Sequence, residues 1–123
     1  MGQKIETFED MEIWKLSIKL ASDIFKLSQK GKLEKDFGTK DQIRRASLSV
    51  SSNIAEGFEY NNNKQFLRFL NYSKGSLGEL RSQVYLLREV DYISEEEFND
   101  LTNQSLNLIK KVKSLMNYLK TKI

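Results

Sequence analysis

Apolar residues recur at steps of three and four along most of the chain, a spacing typical of amphipathic helices. Four periodic stretches predict helices at about residues 8–29, 40–59, 64–91 and 95–121. The breaks between them are short, and the sequence contains no proline. Because short connections make successive helices antiparallel, the pattern predicts an all-α, up-and-down four-helix bundle. We expect a single four-helix-bundle domain over residues 1–123.

The second predicted helix is apolar on one side and has small side chains around much of its circumference. The apolar side includes Ile43, Val50 and Ile54. The small residues elsewhere are Ser49, Ser51, Ser52 and Ala55. Because small side chains let neighbouring backbones approach closely, we expect this helix to be the central one.

The first predicted helix carries two apolar stripes on nearly opposite sides. One contains Met11, Trp14, Ile18, Ala21 and Phe25, and the other contains Ile13, Leu16, Leu20, Ile24 and Leu27. Since a helix in a monomeric bundle buries one face, we interpret the second stripe as an interface between copies. The alternative is a broad buried wedge with scattered exposed leucines.

The turn at residues 61–63 makes the second and third helices an antiparallel hairpin, in which facing residue numbers sum to about 124. This register places Arg45 level with Glu79, and Glu56 level with Arg68. Both pairs have opposite charges. We expect them to be structural contacts, within one protomer or between subunits. Because removing one partner of a buried pair leaves an uncompensated charge, we expect the Arg45→Ala variant not to fold.

The same register sets Ser49 against Gly75, a contact between two small residues. Gly75 and Gly78 lie inside the third helix, where each glycine costs roughly 1 kcal/mol relative to alanine. We expect close helix packing to compensate for this cost.

Helix starts are marked by capping residues. Thr7 is predicted to cap the first helix, and Thr39 or Asp41 the second. Ser94 and Glu97 have the spacing of a capping box at the start of the fourth helix.

The 123-residue chain has a formal net charge of +3, which permits an anionic partner without requiring one. It contains no cysteine and no histidine. This composition removes thiolate chemistry, the usual general base and the usual zinc ligand. We therefore predict no catalytic residue, no metal and no cofactor. With no signal-peptide-like or membrane-spanning stretch, a cytoplasmic protein is expected.

Two groups of lysines are candidates for binding nucleic-acid phosphates. One group lies on the first predicted helix and the other in the second half of the fourth: Lys15, Lys19, Lys26 and Lys30, and Lys110, Lys111 and Lys113. For the first group the alternative is a solvated face. For the second it is charge complementarity with the C-terminal end of the helix dipole.

Several segments resemble the four-helix-bundle family of 23S rRNA intervening-sequence proteins, also called S23 ribosomal-protein-like. The similarity rests on Trp14 and its neighbours and on the segments QIRRA at 42–46, SNIAEGF at 52–58 and GSLGEL at 75–80. Ser51 stands where proline is frequent in the family. The resemblance implies an up-down bundle without enzymatic activity that assembles as a homopentamer. It extends to the accessory variability protein of diversity-generating retroelements, which works with a reverse transcriptase and nucleic acid.

The leading hypothesis is a non-enzymatic homo-oligomer that binds RNA or DNA through a basic surface. The alternative is an interaction scaffold that recruits another protein, such as a reverse transcriptase. Because aromatic residues are not interleaved with the basic positions, we expect backbone contacts rather than base stacking.

Overall fold

The computed structural model describes residues 4–123, and over this range it contains helices and no strands. A 3-10 turn at Phe8–Asp10 precedes five helices: α1 (Glu12–Leu27), α2 (Gly31–Lys35), α3 (Phe37–Glu59), α4 (Asn63–Glu89) and α5 (Glu95–Lys120). The four long helices form a bundle in which α3 packs on α1 and α4, and α5 packs on α4 and α1. The predicted all-α four-helix bundle is confirmed.

The core lies along the bundle axis and consists mainly of leucine, isoleucine and valine. Fully buried side chains come from all five helices: Leu20, Ile24, Leu33, Ile43, Val50, Ile54, Leu70, Leu77, Leu80, Val84, Leu87 and Leu108. Burying an aliphatic side chain of this size contributes about 1.5–3 kcal/mol, so the bundle is held mainly by this apolar contact.

The first helix begins later than predicted. The Thr7 N–H donates to Asp10 Oδ2 at 3.0 Å and closes the short 3-10 turn. Met11 then adopts an extended backbone (φ −83°, ψ 131°), so α1 starts at Glu12. The extended Met11 separates the 3-10 turn that Thr7 caps from the α-helix that follows.

The stretch predicted as a loop after α1 contains the short helix α2. Gly31 begins it at φ +63°, a conformation that glycine adopts without strain. Leu33 in α2 is 1% exposed and anchors this segment to the core. The prediction missed α2 because one buried leucine among charged residues shows no periodicity.

Asp36 caps α3, not Thr39 or Asp41 as predicted. Its carboxylate accepts hydrogen bonds from the Thr39 N–H at 3.2 Å and from the Thr39 hydroxyl at 2.8 Å. The Tyr92 hydroxyl, in the α4–α5 connection, donates to the same carboxylate at 2.8 Å. Asp36 therefore links the start of α3 to the connection between α4 and α5. The predicted capping box of Ser94 and Glu97 is confirmed.

The α3–α4 hairpin has the predicted register. The Ser73 hydroxyl donates to the Val50 carbonyl at 2.9 Å, and the Ser49 and Ser76 hydroxyl oxygens lie 2.8 Å apart. The helices approach closely at Gly57, where a Cβ would stand 2.6 Å from Phe69 Cβ. Small residues of α3 therefore do allow close packing, as expected for the central helix.

The predicted interface stripe of α1 faces the core, so its assignment to an exposed interface is wrong. Four of its members are 7% exposed or less and the fifth is half-buried: Ile13, Leu20, Ile24, Leu27 and Leu16. From the opposite stripe, Met11 and Ala21 are also buried, and Ile18 is 40% exposed. The alternative of a broad buried wedge describes α1 better, because α3 and α5 cover it from two sides.

The two predicted charge pairs do not form within the protomer. Arg45 Nε instead bonds Asp41 Oδ2 at 2.8 Å, one turn earlier on the same helix. Arg68 Nε donates to the Tyr72 hydroxyl at 2.9 Å. The Arg45 side chain is 76% exposed, because the charged positions point away from the α3–α4 contact. The expectation of a buried pair that is essential for folding is therefore wrong.

Gly75 and Gly78 are not closely packed within the protomer. A Cβ at either position would meet no atom within 4 Å, and both residues are exposed. The compensation expected from helix packing is therefore absent from this hairpin, because both glycines lie on the outward side of α4. Along residues 4–123, no helix is both long enough and apolar enough to cross a membrane.

Replacing Gly57 by alanine is expected to destabilise the fold by about 1–3 kcal/mol, the usual cost of overpacking. The new Cβ would force α3 and α4 apart at Phe69. Urea denaturation followed by circular dichroism measures the change.

Gly78→Ala is the matched control, because it adds the same methyl group to open space inside a helix. It is expected to stabilise the protein by about 0.5–1 kcal/mol. Equal stability of the Gly57→Ala variant and the wild type would contradict the close approach.

Tyr92→Phe is expected to lower stability at neutral pH and to reduce its loss in acid. The hydrogen bonds from Tyr92 and Thr39 hold the pKa of Asp36 below its ordinary 3.8. The ionised carboxylate therefore stabilises the fold above pH 3.8, and this contribution is lost as the pH falls through the lower folded pKa. Chemical denaturation at neutral pH and well below pH 3.8 measures both effects.

Tyr118→Phe serves as the control, since Tyr118 is 57% exposed. If Tyr92→Phe and Tyr118→Phe had the same pH dependence of stability, Tyr92 would not act on Asp36.

Candidate nucleic-acid interface

Three of the seven predicted phosphate-binding lysines form ion pairs within the protomer. Lys19 pairs with Asp23 one turn later on α1. Lys30 Nζ lies 3.2 Å from Glu97 Oε2, and Lys111 Nζ lies 3.1 Å from Glu12 Oε1. The last two pairs connect α5 to α1 and the residues after it, and Gln104 Nε2 adds a 2.8 Å bond to Asp23 Oδ2.

The carboxylates in this contact stay ionised more readily than usual. Burial alone would raise the pKa of Glu97, but hydrogen bonds from the Ser94 N–H and Lys30 bring it below its ordinary value. Burial likewise raises the pKa of Asp23, but hydrogen bonds from Lys19 and Gln104 bring it below its ordinary value. The lysine side chains here are partly committed to neutralising acids of the same protomer.

The other four predicted lysines are exposed: Lys15, Lys26, Lys110 and Lys113. None of them belongs to an ion pair within residues 4–123. They do not form one cluster, because Lys15 and Lys26 lie on α1 and the others on α5.

A larger set of basic residues, recognised in the sequence only on the fourth predicted helix, lies on α4 and α5. Residues 64–78 and 105–123 contain eight basic residues and no acid: Lys64, Arg68, Lys74, Lys110, Lys111, Lys113, Lys120 and Lys122. With a chain total of +3, the remaining residues carry a net charge of −5. We call these two segments the α4–α5 basic face. Its signal in the sequence is two acid-free segments, which antiparallel packing of the last two helices brings together.

A groove of about 390 Å³ runs through the α4–α5 basic face. Its basic lining residues are Lys64, Arg68, Lys74 and Lys120, and the amide of Asn71 is the neutral polar group among them. Leu67 and Met116 supply its apolar surface. Four positive groups without a lining carboxylate form a concave site suited to an anion.

A second surface, on the α3–α4 side of the bundle, is unusually apolar for an exposed one. Tyr72 and Leu86 on α4 are 46% and 55% exposed. Tyr72, Glu79 and Leu86 are seven residues apart and share one side of α4, with the bare backbone of Gly75 between the first two. We call Tyr72, Gly75, Glu79 and Leu86 the α3–α4 strip.

One buried polar atom beside the α3–α4 strip lacks a partner. Gln83 Oε1 accepts no hydrogen bond from the described part of the chain. Gln83 and Leu86 line the same cavity of about 420 Å³, together with Gln42 and Asp36.

No three acidic side chains within residues 4–123 are grouped as a metal ion would require. Arg44, which could have served in an acid–base site, donates through Nε to Ser28 Oγ at 2.7 Å and lies over the Phe25 ring. Its visible contacts are structural.

Comparison with known proteins agrees with this architecture. The profile of the 23S rRNA-intervening sequence protein family matches residues 9–114. A crystal structure from Bacteroides thetaiotaomicron, described as a protein with unknown function from the S23 ribosomal protein family, superimposes with a TM-score of 0.77. The match covers 85% of this chain and 97% of that one at 24% identity, so it shows the shared fold. The comparison with curated proteins gives no significant match. From the family match over most of its length, this chain belongs to the 23S rRNA-intervening sequence protein family.

Proposed function

We propose that this protein is a non-enzymatic, self-associating helical bundle that binds RNA or DNA through phosphate contacts. The observation that carries the proposal is the segregation of charge: in a protein of net charge +3, the α4–α5 basic face contains eight cations and no acid of its own. Within residues 4–123, Lys111 alone among the eight forms an ion pair, with Glu12 of α1. Polyanions are attracted to such a local field more than to the average charge of a protein. Its lysines and arginine are suited to phosphate oxygens.

Self-association supports the same function. The α3–α4 strip exposes apolar side chains, and the lack of atoms near Gly75 leaves the α4 backbone open to close approach. Repeating the basic face in several copies would multiply weak phosphate contacts into stable binding. The family resemblance favours five copies. Glu79, which is exposed, is then available to contact a neighbouring copy.

Recruitment of another protein is the second candidate function. The same α3–α4 strip favours it, because an exposed apolar strip can bind a foreign helix as well as a second copy. A reverse transcriptase is the partner that the resemblance suggests. The two functions differ in what copurifies after nuclease treatment: a protein partner would remain, whereas nucleic acid would be lost.

Light scattering of the purified protein is expected to give a mass of several protomers, with five the favoured number. Leu86→Glu is expected to lower that mass towards one protomer, because it places a charge in the proposed contact.

Leu106→Glu is the matched control for this measurement, since Leu106 is 45% exposed on α5 and outside the α3–α4 strip. A wild-type protein that stays monomeric at high concentration would remove self-association from the proposal.

Binding to duplex RNA and duplex DNA is expected to weaken steeply with salt. Each phosphate contact on B-DNA contributes a slope of about −0.9 to a plot of log affinity against log salt concentration. Fluorescence anisotropy with labelled duplexes over a salt series measures the slope. Affinity that does not respond to salt, or absence of binding at low salt, would contradict the proposed function.

A further inference from the structure

The groove between α4 and α5 differs from the rest of the basic surface in being concave and having polar groups at regular spacing. Lys64, Arg68, Asn71 and Lys74 follow one another at steps of four, three and three residues, so they form one ridge along α4. At 1.5 Å per residue the ridge is about 15 Å long. Lys120 contributes from the α5 side.

This length corresponds to a short run of backbone phosphates. One strand of a B-form duplex carries a charge about every 3.4 Å along the helix axis, and the path along the winding backbone is longer, so at most about four phosphates span the ridge. Four cations line the groove. Lys113, seven residues before Lys120 and therefore on the same side of α5, extends the positive surface beyond it.

Arg68 is held in position for anion binding. Its Nε donates to the Tyr72 hydroxyl at 2.9 Å, and the guanidinium carbon lies 5.6 Å from the centre of the Tyr72 ring. This contact uses one of the five guanidinium N–H donors and leaves the terminal pair for an anion. A planar fork of this kind matches two phosphate oxygens at once. Tyr72 is thus a positioning residue for Arg68.

The groove offers nothing to stack on a base. Its apolar lining is Leu67 and Met116, and no aromatic side chain is among the lining residues. Base–aromatic stacking is the usual means of holding unpaired bases without sequence preference. A groove with cations and without aromatics is suited to the sugar–phosphate backbone.

We infer that one strand of the sugar–phosphate backbone of RNA or DNA lies in the α4–α5 groove, bound by Lys64, Arg68, Lys74 and Lys120. This inference rests on the proposed function and adds the place on the protein where the nucleic-acid backbone binds. Binding is independent of base sequence, because phosphate contacts carry no sequence information directly.

The main test compares two triple variants that remove the same charge. Lys64→Gln, Arg68→Gln and Lys74→Gln together alter the groove, and Lys4→Gln, Lys32→Gln and Lys35→Gln together alter exposed lysines elsewhere. The probes are a duplex RNA and a duplex DNA of the same sequence, followed by anisotropy over a salt series. Circular dichroism confirms that both variants are folded.

The groove variant is expected to lower the magnitude of the salt slope by about 2.7, which is three phosphate contacts at 0.9 each. The slope of the control variant is expected to stay close to that of the wild type. If the wild type binds but both variants lose affinity and slope equally, the groove assignment is wrong and the proposed function stands. If the wild type does not bind, both are wrong.

Arg68→Lys and Tyr72→Phe test the orientation of the guanidinium. Both keep the charge of the groove, so the salt slope should not change. Affinity should fall about twofold to fivefold in each variant. Arg68→Lys removes the planar guanidinium, and Tyr72→Phe removes the hydroxyl group that orients it. Wild-type affinity in both variants would remove the role assigned to Arg68 and Tyr72.

Competition distinguishes the proposed ligand from an acidic protein. Unlabelled duplexes of unrelated sequence should displace the probe with affinities within about twofold of one another. Poly-glutamate of equal charge should compete poorly. Displacement by poly-glutamate as effective as by duplex would overturn the assignment to a sugar–phosphate backbone.

Discussion

The close contact between α3 and α4 is the constraint on which the rest of the structure depends. At its centre the Ser73 hydroxyl reaches the Val50 carbonyl, which requires the two helices to lie nearer than large side chains would permit. Further along, Gly57 lets the Phe69 side chain lie directly against the α3 backbone. These small residues fix the register of the hairpin, and that register decides which side chains of α3 and α4 face the core and which face outward.

With that hairpin fixed, α1 and α5 complete the core and bring their charges together. Lys30 and Lys111 neutralise Glu97 and Glu12 across this side of the bundle. Exposed ion pairs contribute little to stability, at most about 1 kcal/mol each. Their larger effect is on the surface field, because they cancel the charges of Lys30 and Lys111 and leave the cations of the α4–α5 groove uncompensated.

The two unusual surfaces of the bundle share α4 and adjoin along it, since Tyr72 of the strip holds Arg68 of the groove. The α3–α4 strip is apolar and open at Gly75, and the α4–α5 basic face is concave and cationic. Association through the apolar strip would gather the basic grooves of several copies, and each groove would add its phosphate contacts to those of its neighbours.

The sequence alone determined the helical class, the approximate extent of the long helices, the α3–α4 register and the Ser94 capping box, because these depend on local periodicity, turn length and cap chemistry. It did not determine which apolar stripe of α1 is buried, since Ile13 and Leu20 are as hydrophobic as the residues opposite and only the positions of α3 and α5 distinguish them. The capping role of Asp36 and the α4–α5 groove were likewise decided by tertiary structure. The contact of Tyr92 with Asp36 and the groove shared by Lys64 and Lys120 each bring together residues that are distant in the chain. No local pattern encodes their proximity.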